Sequence, residues 1–194
     1  MADSPQSHYI LKNDIDASPT ANWNQDNGTY KGFEPIGTPG TPFSGMFNGN
    51  GHKITGLTIH RPGTMGVGLF GVTSSSAIIH TLAIEDVSIT GDNLVGGLVG
   101  DNEGEISTVY VLGEVHGEGS QIGGLAGNSS NSTIKNTYTM ADVSGDSEVG
   151  GLVGFFQSSY GSQSEIVKSY SASSVEGNSS LGGLIGSGSN NVTR

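Results

Sequence analysis

Short clusters of apolar residues, separated by polar and glycine-rich turns, recur along this chain at nearly even intervals. The clearest cluster reads VGLFG at 67–71, VGGLVG at 95–100, IGGLAG at 122–127, VGGLVG at 149–154 and LGGLIG at 181–186. Measured from Gly68, Gly97, Gly124, Gly151 and Gly183, the steps are 29, 27, 27 and 32 residues. Between clusters lie strand-like segments such as IHTLAIEDV at 79–87, STVYVLGEV at 107–115, KNTYTMADV at 135–143 and VKSYSASSV at 167–175. A constant period of this size predicts stacked units, each too small to bury its own apolar face.

Superposing the copies gives five apolar columns. They are Leu57, Leu82, Tyr110, Tyr138 and Tyr170; Ile59, Ile84, Leu112, Met140 and Ala172; Val87, Val115, Val143 and Val175; Leu69, Leu98, Leu125, Leu152 and Leu184; and Ile78, Ile106, Ile134 and Ile166. The first two sit two residues apart, the same-face spacing of a β-strand, so both are expected to point inward. Helical spacing does not persist, and a glycine inside a helix costs about 1 kcal/mol. Each unit therefore reads as three short strands joined by tight bends. The expectation is an all-β fold, a parallel β-helix (β-solenoid) of about six coils of roughly 27 residues, right-handed by the general crossover preference.

Residues 1–42 depart from the pattern. HYILKNDIDA at 8–17 reads as a strand that starts the stack, and 18–42 as turn-rich capping loops with Trp23 and Phe33 as apolar plugs. Residues 43–194 form the regular coils. The chain ends just after a fresh copy of the hexamer, so it is expected to be part of a longer solenoid.

Composition removes some alternatives. The 194 residues include 33 glycines and no cysteine, with a net charge of −11. Evenly spread Val, Ile and Leu argue against disorder. The acidic balance argues against nucleic acid or an anionic membrane as partner. No apolar run approaches the ~20 residues of a membrane-spanning helix, so no membrane insertion is expected.

The GGLVG clusters with their 20-odd-residue spacers resemble the GLUG motif. The opener, YILKNDIDAS with NW, FEPIG and FSGMFNGNGHKITGLTI, resembles the first coils of secreted bacterial right-handed β-helix proteins that carry such repeats. That group includes filamentous-haemagglutinin-like adhesins and the non-catalytic regions of IgA-specific zinc metallopeptidases. The resemblance implies a non-enzymatic stalk or adhesive module, extracellular or on the bacterial cell surface. The alternative it implies is a recognition or spacer region of a secreted peptidase or glycan-active enzyme. Expected partners are a host or environmental glycan or protein, or a second copy through the solenoid ends. The H-E-x-x-H pattern of the peptidase branch is absent: His8, His52, His60, His80 and His116 are neither followed by Glu nor paired at i, i+4.

Other chemistry is thinly signalled, and no cofactor is expected. Asp101, Glu103 and Glu105, with Asp14 and Asp16, are acids in the wrong number and repetition for glycoside hydrolysis. Asp92 and Asp146 recur where one strand turns toward the next hexamer and are candidate calcium ligands, though turn chemistry explains them equally well. The mixed column His80, Thr108, Asn136 and Lys168 lacks the threonine ladder of an ice-binding face. One coil carries about five extra residues at 155–165. Its Phe155, Phe156 and Tyr160 are candidate ligand-binding residues on a bulge, or aromatics that fold back over the stack.

Overall fold

The computed structural model describes residues 4–159 and 164–189. It is a β-solenoid of about five turns, with parallel strands stacked into three sheets. The first sheet layers Tyr9–Ile10, Met46–Asn48, Ile78–Gly91, Glu105–Gly117, Thr133–Lys135 and Glu165–Val167, and continues along the same coils through Tyr138–Ser144 and Ser174–Glu176. The second stacks Val95–Gly96, Ser120–Gly123, Ser147–Gly150 and Ser179–Gly182. The third stacks Phe70–Thr73, Val99–Asn102, Ala126–Ser130, Val153–Gln157 and Ile185–Ser189. Neighbouring coils are bonded with like opposite like: Val95 faces Ile122, Ile122 faces Val149, and Val149 faces Leu181.

The count of turns falls short of about six because the first layer is partial. Tyr9–Ile10 and Ile15–Asp16 pair with the coil above, and Ile36 and Phe43 bridge to Phe70 and Thr73. Residues between these points leave the coil path. Ser18–Asn22 form a 3-10 helix with a proline in its first turn, and Gln25–Asp26 pairs with Thr29–Tyr30 as a small hairpin. Trp23 leans on Phe33 at 6.4 Å between ring centroids but stays 48% exposed, so it is a lid more than a plug. Beneath it lies an apolar hollow of about 210 Å³ bordered by Leu11, Ile15, Phe47 and Leu57.

The core runs down the inside of the stack. Leu98, Leu125 and Leu152 are fully buried and bonded coil to coil through their backbones, as the hexamer column predicts. Each such side chain contributes roughly 1.5–3 kcal/mol of burial. The glycine before each leucine has a spatial reason. A Cβ on Gly124 would press on the Gly151 carbonyl oxygen of the next coil and sit 3.2 Å from the Thr139 Cβ. A hydrogen-bonded polar column also lies inside. The Thr73 hydroxyl donates to Asn102 Oδ1 (2.8 Å), Asn102 Nδ2 donates to Ser129 Oγ (3.0 Å), and Ser129 meets Ser132 at 2.7 Å. Phe156 takes the next place in that column, opposite Ser129, and is fully buried.

Two of the five sequence columns are corrected by the structure. Tyr110, Tyr138 and Tyr170 do stack in register, but on the outer face, and the residue level with Tyr110 in the preceding coil is Ala83, not Leu82. Leu112 and Met140 likewise face outward, Met140 being 47% exposed, whereas Val111 and Thr139 are buried. The cause is a column of left-handed residues, Thr81, Thr108, Asn136 and Lys168, with φ of 56°, 56°, 52° and 49°. Strand alternation restarts across each of them, so the inward residues are Ile106 and Val109, three apart, followed by Val111. Two smaller register differences accompany these: Ile79 rather than Ile78 pairs with Ile106, and, past a one-residue bulge between Ile84 and Val87, Ile89 rather than Val87 pairs with Val115.

Candidate functional site

The corner at Thr81, Thr108 and Asn136 bends the first sheet and leaves a groove along its outer face. One wall is this left-handed column. The other is the laterally aligned series Lys53, Ala83, Tyr110, Tyr138 and Tyr170, one residue per coil. The tyrosine rings stack nearly parallel, at 4.9 Å and 10° for Tyr110–Tyr138 and 5.1 Å and 5° for Tyr138–Tyr170. These separations are close to the ~4.8 Å rise per coil, so the ladder is a direct product of parallel register.

The ladder stops at Ala83. Tyr138 covers one face of the Tyr110 ring, and the other face looks toward the coil where a methyl replaces an aromatic. A hollow of about 280 Å³ opens there, bordered by Asp14, Lys53, Ala83, Thr108, Tyr110 and Tyr138. Charged groups rim it. The Tyr110 hydroxyl donates to Glu85 Oε1 (2.7 Å), and Lys53 Nζ donates to Glu85 Oε2 (2.9 Å). Asp14 Oδ1 accepts from the Lys53 backbone N–H (3.1 Å) and lies 3.0 Å from His52 Nδ1.

A bulge aims Glu85. Its coil has one residue more than the next between Ile84 and Val87, opposite Val111 and Gly113, and Asp86 takes φ 54° to absorb it. Bulges re-aim side chains in this way. Hydrogen bonds from Lys53 and then Tyr110 hold the Glu85 carboxyl below its ordinary range. The bond to Glu85, with desolvation second, pushes the Tyr110 phenol up to about 12. Desolvation and the neighbouring Tyr170 raise Tyr138. The backbone N–H of Lys53 and the His52 side chain lower Asp14.

Of the acids singled out from sequence, Asp14 lies on the rim of the groove, while Asp16 Oδ1 accepts from the Ser18 N–H at 2.9 Å, and the remaining candidates are scattered. Phe156 is fully buried in the core, which removes it as a surface ligand contact; Phe155 is half-buried in the outer column between Asn128 and Ser187; Tyr160 lies outside the described residues. Asp92 and Asp146 are two coils apart with Gly119 between them, bonded through its backbone to both. Asp146 Oδ1 accepts from Asn178 Nδ2 at 2.7 Å. Among the described residues no three His, Asp or Glu side chains gather as metal ligands, and Asp92 and Asp146 belong to no such group. Asp101 Oδ1 accepts from Asn128 Nδ2 (2.7 Å), Glu105 pairs with Lys135 (2.7 Å), and Glu103 is exposed. Sequence reasoning missed Lys53, Glu85 and the outward tyrosines. The repeated tyrosine was visible, and its wrong face hid its meaning.

Among the described residues no helix is long and apolar enough to cross a membrane. No family model matches the chain. It is 37% identical over 156 residues to halomucin of Haloquadratum walsbyi, covering 75% of this chain and 2% of that protein. It is 36% identical over 153 residues to an Evansella cellulosilytica protein provisionally named a Gly-rich membrane protein, covering 76% and 17% respectively. The chain thus spans only a small part of the relatives it matches. A crystal structure from Bacteroides ovatus, provisionally named an immunoglobulin A1 protease, shares the fold with a TM-score of 0.72 at 22% identity, over 97% of this chain and 57% of that one.

Proposed function

We propose that this chain is a non-enzymatic extracellular β-solenoid module, a stalk or adhesive segment of a large cell-surface protein. The observation that carries the reading is the axial organisation of its surface. Glu105–Lys135, Asp101–Asn128, Asp146–Asn178 and the tyrosine ladder each tie one coil to the next. A reaction centre converges its groups on one point. A rod with stripes along its axis suits spacing and extended contact with a partner. The halomucin and Gly-rich membrane protein relatives, each much longer than this chain, support a place at the cell surface. Partners that suit such a rod are an environmental glycan or protein, or another copy stacked on its end.

Antibody raised against the folded chain should label intact cells of the source organism, and brief protease treatment should remove the label. Labelling only after permeabilisation would overturn the reading. A second reading, a recognition or spacer region of a secreted peptidase or glycan-active enzyme, takes its support from the name carried by the Bacteroides ovatus structure. The full-length gene separates the two, since a catalytic domain in the same chain would favour the second.

A further inference from the structure

We propose that the groove at Ala83 is a carbohydrate-binding site, in which one pyranose ring occupies the missing rung of the tyrosine ladder and stacks on the open face of Tyr110. The inference rests on the surface-module reading and names the class of ligand.

Position comes first. Lys53, Ala83 and Tyr110 are consecutive rungs of one outward column, and Ala83 leaves a ring-sized gap between a cation and an aromatic face. A six-membered ring with a broad face is the shape that continues the stack. The chemistry then selects among such rings. A pyranose presents C–H groups on its face and hydroxyls around its edge. An aromatic face takes the first, and a rim of hydrogen-bonding groups takes the second. Here the rim holds a carboxylate (Asp14), an ammonium (Lys53), a threonine hydroxyl (Thr108) and a carboxamide (Asn136). A purely aromatic guest would leave these four groups without use.

The rim is also held in place before any ligand arrives. Glu85 fixes both Lys53 and the Tyr110 hydroxyl, and the Lys53 backbone N–H and His52 fix Asp14. Groups already oriented lose less freedom on binding. A ring stacked on Tyr110 lies with its plane across the axis of the stack, as the tyrosine rings do. The equatorial linkages of a β-linked chain leave in that plane, so neighbouring units extend across the groove rather than along it.

Ala83→Tyr is the decisive variant, since it completes the ladder from within. Binding of a panel of neutral β-linked pyranose oligosaccharides of two to six units would be measured by titration calorimetry, alongside thermal melts. The expectation is binding by the parent chain, a loss of at least about tenfold in Ala83→Tyr, and a melting temperature unchanged or raised. Tyr110→Ala should also lose binding, and Thr58→Ser, on the same face away from the groove, should not. Unchanged affinity in a folded Ala83→Tyr would overturn the proposal, as would no binding of any oligosaccharide in the panel by the parent chain. Surface labelling without sugar binding would remove this site and leave the surface module standing. Sugar binding by a chain found only inside cells would do the reverse.

Discussion

Two corners of the coil use the same backbone device and put it to different ends. At the hexamer corner Leu94, Gln121, Glu148 and Ser180 are left-handed, with φ between 52° and 65°. At the strand corner Thr81, Thr108, Asn136 and Lys168 are left-handed, with φ between 49° and 56°. Past the first corner come paired glycines, and at Gly97, Gly124 and Gly151 the backbone of the next coil closes until no Cβ fits between them. Past the second come ordinary side chains, and the outer face opens into a groove. One corner is a packing joint and the other makes a surface. Left-handed geometry alone decides neither; the side chains that follow it do.

The largest test of the packing joint is Leu125→Asp. It buries an unpaired charge between Leu98 and Leu152, and should cost more than about 4 kcal/mol, seen as a loss of cooperative urea unfolding. Thr139→Asp comes next, at about 3 kcal/mol. Thr139 is fully buried and its hydroxyl donates to the Gly151 carbonyl at 2.7 Å. Tyr138→Asp, on the groove side, should cost well under half as much. Equal losses would show that the outward face assigned to the tyrosines is wrong.

A subtler pair compares one hexamer position in two coils. Gly124→Ala should cost about 1–3 kcal/mol, because its Cβ meets backbone. Gly183 has nothing within 4 Å of a built Cβ, so Gly183→Ala should stay within about 0.5 kcal/mol. Similar losses in both would mean that conformation, not crowding, selects glycine there.

At the strand corner, Thr108 is β-branched with φ 56°, a costly combination. Thr108→Gly relieves that strain at some entropic cost, and should raise the melting temperature by a degree or two, from a net gain of about 0.5 kcal/mol. The smallest effect is electrostatic. With Tyr110 raised to about 12, its bond to Glu85 contributes fully below the ordinary phenol value of 10 and is lost as pH rises through about 12. Ring-labelled tyrosine resonances should show this late titration, and Glu85→Gln should bring it back toward the ordinary value.

How legible the fold was follows from these corners. The hexamer advertises itself because crowding admits only glycine, and one residue type at a fixed period shows in a single sequence. From it came the solenoid, the coil length and the buried leucines. The strand corner is written in Thr, Thr, Asn and Lys, which share no visible trait. Counting by twos straight across it turned Tyr110, Tyr138 and Met140 inward and left Thr139 outside. The candidate site went unseen for the same reason, since it consists of residues on the face that the count reversed. Phe156 misled in the opposite sense: an aromatic in a long, polar coil reads as surface, yet it fills the core where the preceding coils carry Asn102 and Ser129.

The coil that holds Phe156 also shows where this architecture tolerates change. Asn131 and Ser159 bond to each other from adjacent coils, Ser159 N to Asn131 Oδ1 at 2.7 Å and Asn131 Nδ2 to Ser159 Oγ at 3.2 Å. The Glu165 N–H then donates to the Ser132 carbonyl, and Thr133 faces Glu165 in register. From Gly151 to Gly183 this coil takes 32 residues where each of the two steps before it takes 27, yet Glu165 is back in register with Thr133 of the neighbouring coil. This corner therefore works as a port: sequence can be added to one coil while the coils above and below keep their register. A lineage could diversify there without re-evolving its core.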